Sequence, residues 1–211
     1  KGDITRFMNA LGVNFNQTQI IYETYNPHPG LGQLPPEIVF VGKGSGNDDA
    51  FSNSFLGSSG LQELVTLYSG YINSPAGNPF KFEPILRTGR SSGLLSWSQL
   101  IQRSFFGMSM NRNPRRQQTG ESYIIAARVF GSAAADSAAA QSERHLNAIV
   151  IADVDMVSEQ FFKLRERGME NFNFDNVTFV LNCMDILAGD TSFIELRKKR
   201  VRHRTLESVE A

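Results

Sequence analysis

Apolar positions recur along the chain at helical and at strand spacing, and together they predict an alternation of short helices and strands. Phe7, Met8 and Leu11 at helical spacing, with Gly12 as a stop, predict a helix from Thr5 to Leu11. Gln19–Tyr25 is β-branched and aromatic and runs into the turn cluster Asn26-Pro27-His28-Pro29-Gly30. Glu37-Ile38-Val39-Phe40-Val41 carries a continuous apolar run of the kind that lies in the buried middle of a sheet. Gly42–Gly60, rich in Gly, Ser, Asn and Asp, reads as a long surface loop. Leu61, Leu64, Val65 and Tyr68 share one helical face and predict an amphipathic helix over Gly60–Tyr71.

Farther on, Pro84–Thr88 reads as a strand, the polar stretch to Gly93 as a loop, and Ser96–Phe106 as a helix through Trp97, Leu100, Ile101 and Phe105. Ser122–Phe130 and Leu146–Ala152 are strand-like, and the small-residue stretch Ala133–Ala140 between them has nothing to bury and reads as a loose loop. Met156–Arg167 and Phe174–Leu187 read as helices, and Phe193–Leu196 as a last short strand. Strands alternating with helices predict an α/β fold: a mixed or mostly parallel sheet covered by helices on both faces, in three layers. Residues 1–195 are expected to form a single α/β domain and residues 196–211 a basic C-terminal tail.

Composition narrows the picture. At 211 residues, 41% hydrophobic and 20% charged, the chain has the make-up of a folded globular protein, not a collagenous, coiled-coil or wholly disordered one. The 21 basic residues balance the 21 acidic ones, so the global basic field that nucleic-acid binding uses is missing. That balance hides an asymmetry: Leu196–Arg204 (LRKKRVRHR) carries six of the basic residues, and the body before it is slightly acidic. Such a run is either a solvated segment or a contact for anionic surfaces. The single Cys183 excludes an internal disulfide. The longest apolar runs fall far short of the roughly 20 residues of a membrane helix. The chain opens Lys1-Gly2-Asp3 without an initiator Met or an apolar leader, and is expected to be an excised piece of a longer protein.

Few residues carry recognisable chemistry. Gly42-Lys43-Gly44-Ser45-Gly46 follows an apolar strand, the place of phosphate-cradling loops, but it lacks the third glycine of a dinucleotide fingerprint and the Gly-Lys-Ser/Thr of a P-loop. It stands as a ligand loop or a plain surface loop, together with Arg87 and Thr88. Asp153 and Asp155 follow the best strand, where two carboxylates either hold Mg²⁺ or Ca²⁺ or cap the next helix. His28, His145 and His203 lack zinc-site spacing, and Cys183 beside an apolar helical face reads as a buried small hydrophobe. No Gly-x-Ser-x-Gly elbow is present. No catalytic residue and no cofactor emerge from this inventory.

The order of these segments resembles the GldG family, the extracytoplasmic auxiliary component of ABC transport systems first linked to gliding motility. The likeness is carried by Phe7–Val13 with the Gln19–Tyr25 strand, by Pro84–Ser92, by Ala148–Asp155, and by Asn176–Asp190 followed by Ile194-Glu195-Leu196-Arg197. The resemblance implies the C-terminal part of the soluble region of a membrane-anchored protein, on the outer face of a bacterial cytoplasmic membrane. It also implies an ABC permease and its ATPase as partners, no catalysis in this chain, and ATP hydrolysis on a separate subunit. Two rival expectations come from the residues alone: a metal-dependent hydrolase using Asp153 and Asp155, and a small-ligand-binding domain.

Overall fold

The computed structural model describes residues 3–104, 107–111, 113–133, 144–167 and 174–198. Its strands are β1 (Asn14–Phe15), β2 (Gln19–Glu23), β3 (Ile38–Gly42), β4 (Glu63–Leu67), β5 (Ile72–Asn73), β6 (Lys81–Arg87), β7 (Ser92–Ser96), β8 (Ile101–Ser104), β9 (Gly107–Met110), β10 (Gln117–Gln118), β11 (Ile124–Ala133) and β12 (Arg144–Ile151). The helices are α1 (Ile4–Ala10), α2 (Trp97–Leu100), α3 (Glu159–Arg167), α4 (Asn176–Ala188) and α5 (Ile194–Lys198).

Every strand pairing among the described residues is antiparallel. The strands form small sheets in the orders β1-β5, β10-β7-β2, β12-β11-β6, β3-β4 and β8-β9. The expected α/β fold with a mostly parallel, helix-covered sheet in three layers is therefore wrong. The error has a physical origin. The helix expected over Gly60–Tyr71 is strand β4 instead: after the long loop the chain turns back and pairs Val39 with Thr66 and Val41 with Leu64.

Strand β4 explains why helical spacing misled. Leu64 packs with Val39, Val41 and Leu86 in the main core, while Val65 packs with Phe40, Phe161 and Val177 on the opposite face. A strand buried on both faces is apolar at adjacent positions, a pattern that periodicity cannot separate from a helix. The expected Ser96–Phe106 helix shrinks to the one-turn α2, after which the chain enters the β8-β9 hairpin. The strand expected at Phe193–Leu196 is absent: Ile194–Leu196 opens helix α5 instead, with Phe193 in the turn before it. Most of Ala133–Ala140, and the tail beyond Lys198, lie outside the described residues.

Helix α1 begins at Asp3, whose Oδ1 accepts the N–H groups of Thr5 and Arg6, and ends before Gly12 at φ +70°. Helix α4 ends at Gly189 in the left-handed conformation and inserts Phe179 and Cys183 into the main core. Its start closes the free edge of β4. Asp175 Oδ2 accepts from Gln62 N–H at 2.7 Å, Asn176 Oδ1 from Val65 N–H at 3.0 Å, and Asn176 Nδ2 donates to Val65 O at 2.7 Å. Asp153 Oδ2 accepts from Leu67 N–H at 2.8 Å. These three side chains take the place of a neighbouring strand, so the edge donors of a buried strand are satisfied.

Candidate functional site

The pair β2-β7 runs through the molecule with Gln19 opposite Ser96 at one end and Glu23 opposite Ser92 at the other, four strand steps or roughly 13 Å apart. Each end is built differently.

At the Glu23 end three loops meet. The Glu23 side chain is 2% exposed; its Oε2 accepts from Gly89 N–H at 3.1 Å, and its Oε1 has no hydrogen-bond partner among the described residues. Burial pushes this carboxyl up to about 7, although the Gly89 N–H pulls the other way. Gly89 is required by contact: a Cβ there would overlap Glu23 Oε1 and the Ser45 carbonyl. A Cβ at Gly44 would overlap the Tyr25 hydroxyl. The segment Gly42–Gly46 forms a tight turn over Lys43–Ser45, with Ser45 Oγ donating to Gly42 O at 2.7 Å and Gly46 at φ +78°. Gly44 thus allows close packing on Tyr25.

Thr88 is fully buried, and its Oγ1 accepts from Tyr123 N–H at 2.9 Å. Its carbonyl accepts from Asn47 Nδ2 and Ser122 Oγ, both at 2.7 Å. Arg87 N–H donates to Ala50 O at 2.9 Å, which pins the Gly42–Gly60 loop along β6. The result is a polar cleft of about 540 Å³ lined by Arg87, Arg90, Asn47, Asp49, Ser54 and Ser122, among others. Neither Arg87 nor Arg90 forms an ion pair with a described residue. Two guanidinium groups beside hydroxyls suit an anionic group. Of the loop residues singled out from sequence, Arg87 lines this cleft and Thr88 holds its wall, whereas Gly42, Gly44, Ser45 and Gly46 are not among its lining; Gly44 packs on Tyr25 and Ser45 on Gly89.

A comparison with protein families matches residues 1–183 to the family described as ABC-type uncharacterized transport system. The chain belongs to that family. It is an auxiliary component of an ABC-type transport system. No curated protein and no solved structure matches it.

Asp153 and Asp155 of this ABC-transport auxiliary chain lie away from the Glu23 end, beside Gly70 and Trp97. Asp153 is buried, and besides Leu67 its Oδ1 accepts from Asp155 N–H at 2.8 Å. Burial pushes the Asp153 carboxyl up to about 6 against the pull of these backbone donors. Both of its oxygens serve the backbone, and Asp155 opens the turn Asp155–Val157. Among the described residues no group of three or more His, Cys, Asp or Glu side chains is placed to hold a metal ion. His28 pairs with Glu63 at 2.9 Å, and His145 Nδ1 lies 2.8 Å from Ser132 Oγ. Cys183 is buried, its thiol pushed up to about 12 by desolvation, which leaves it inert at neutral pH.

Sequence reasoning missed the other end of β2-β7. There Asn16 Nδ2 donates to Gln19 Oε1 at 2.8 Å, and Tyr71 OH donates to the same oxygen at 3.0 Å. Trp97, 45% exposed, begins α2, and its N–H donates to Thr18 O at 2.8 Å. Three depressions of about 610, 270 and 770 Å³ meet at Gln17. The available signal was the run Asn14-Phe15-Asn16-Gln17-Thr18-Gln19, dense in amides and close to a strand, together with the single Trp of the chain.

Proposed function

We propose that this chain is a non-catalytic binding module of its ABC transport system, GldG-like in kind, on the extracytoplasmic side of a bacterial cytoplasmic membrane. It works as part of a membrane-anchored protein held to an ABC permease, with the ATPase on the far side of the bilayer, and it engages transporter partners and cargo. The observation that carries this reading is the family match over residues 1–183, which takes in both ends of β2-β7. A second feature supports it. Met184 and Leu187 on α4, and Phe193 and Leu196 at α5, are large apolar side chains left 42–62% exposed, the kind of surface that partner docking uses. The Arg87/Arg90 cleft supplies a charged contact for an acidic group on a partner.

The test is co-purification. The parent protein, tagged on this domain and gently solubilised, is expected to bring down an ABC permease and ATPase, and to lose both when the segment is deleted. Recovery of the parent alone would overturn the reading.

A further inference from the structure

We propose that the groove around Trp97 binds a neutral oligosaccharide. This rests on the binding-module reading above and names the chemistry of its cargo. The three depressions that meet at Gln17 form one surface of mixed amide and apolar character with an unusual charge pattern. Among the described residues lining them, the only charged side chains are Asp153 and Asp155, both at one end of the 270 Å³ depression, and Asp153 is committed to the backbone. The rest of the lining is uncharged: amides, hydroxyls and aromatic rings interleaved with apolar side chains such as Met8, Ile20, Leu67, Ile101 and Met108. A charged ligand would find no counter-ion along most of this surface. An apolar ligand would strip water from amide groups and return no hydrogen bond.

A sugar ring matches what is there. Its hydroxyls both donate and accept, as a carboxamide does in one plane, and the apolar face of a pyranose lies flat on an indole. The amides are pre-oriented. Asn16 Oδ1 accepts from Thr18 N–H at 2.9 Å and from Thr18 Oγ1 at 2.8 Å, which fixes the Nδ2 that holds Gln19 Oε1. Among the described residues, Gln19 Nε2 is then left without an acceptor. Gln17 Nε2 donates to Thr5 Oγ1 at 2.7 Å, and its Oε1 is left without a donor. One uncommitted donor and one uncommitted acceptor, held by neighbours and flanking an exposed indole, are the elements of a hydroxyl-reading site. The groove also carries backbone strain: Tyr68, on the wall of the 270 Å³ depression, sits at φ +51°, the single non-glycine left-handed residue among those described.

Trp97 is the only tryptophan in the chain, so its fluorescence reports this groove alone. The 211-residue chain is titrated with neutral oligosaccharides of glucose, mannose and N-acetylglucosamine, and binding is confirmed by calorimetry. At least one series is expected to give a saturable shift of Trp97 emission. By calorimetry Trp97→Ala should weaken binding about tenfold or more, Gln17→Ala should weaken it by less, and Trp97→Tyr should retain most of it. Affinity should be flat between about 20 and about 500 mM salt, as befits a neutral ligand. No saturable response from any of the three series overturns the proposal, as does binding that Trp97→Ala leaves intact or that weakens steeply with salt. Thermal melts of the variants separate loss of the site from loss of the fold. Co-purification of permease and ATPase is expected to survive Trp97→Ala, so a failed titration sinks the sugar site without touching the binding-module reading, and the reverse.

Discussion

The two ends of the β2-β7 pair put similar backbone to opposite use. At the Glu23 end the chain buries a carboxyl with an orphaned oxygen, packs glycines against it, and displays arginines on an outer cleft. At the Trp97 end it exposes a large aromatic surface and holds amides by one another. One end spends packing precision on internal order; the other spends hydrogen bonds on keeping a surface in shape. The comparison teaches that the residues most constrained by structure and those most available to a ligand lie on the same strands but hardly overlap.

The comparison breaks most readily at Gly89. Gly89→Ala forces a methyl group into Glu23 Oε1 and the Ser45 carbonyl, and is expected to cost about 3 kcal/mol in urea unfolding, the upper range for overpacking. Wild-type stability there would mean that the three loops are not locked together.

Glu23 gives an effect of similar size read through pH. Its folded pKa, about 7, lies above the ordinary 4.5, so the folded state keeps a proton that the unfolded state has released. Stability is therefore expected to fall as pH rises from about 4.5 to 7, by something on the order of 3 kcal/mol, and to level off above that. Asp153, raised from 3.8 to about 6, adds a slope of the same sign at lower pH. Glu23→Gln should flatten the upper part of the curve and leave the lower part, and urea denaturation at several pH values would show it. A wild-type slope that survives Glu23→Gln would contradict the assignment.

Asp153→Asn exchanges an acceptor for a donor opposite the N–H of Leu67 or of Asp155, and is expected to cost about 1–3 kcal/mol. In the same protein, calorimetric titration with Mg²⁺, Mn²⁺ or Ca²⁺ should release no heat, because both Asp153 oxygens already serve the backbone. Heat that vanishes in Asp153→Asn would restore the metal reading. The smallest effect sharpens the contrast: Arg87→Ala and Trp97→Ala, each at a surface cleft, should both shift stability by less than about 0.5 kcal/mol.

Legibility in the sequence followed the same division. Helix α4 was readable because its apolar face and terminal glycine act locally, and β3 because four adjacent apolar residues fit a strand covered on both sides. Strand β4 was not, since Leu64 and Val65 feed two different cores and so imitate a helical face. Antiparallel pairing was hidden because the link from β3 to β4 is long enough to pass for a crossover. At the sites, the Gly42–Gly46 and Arg87–Thr88 loops were marked by composition, and their meeting is a tertiary fact. Nothing in the local sequence around Glu23 announces that it is buried. The capping alternative weighed for Asp153 describes a backbone acceptor, but its main partner, Leu67, is remote in the chain and was out of reach.

The central claim is that this chain acts by binding within its transport system. Site-specific photo-crosslinking in intact cells tests it most directly, with the probe placed in turn at Met184, Phe193 and Trp97. The account predicts an adduct with the permease from Met184 or Phe193 and none from Trp97. Absence of any permease adduct from the two helix positions, in cells where the transport system is assembled, would contradict it.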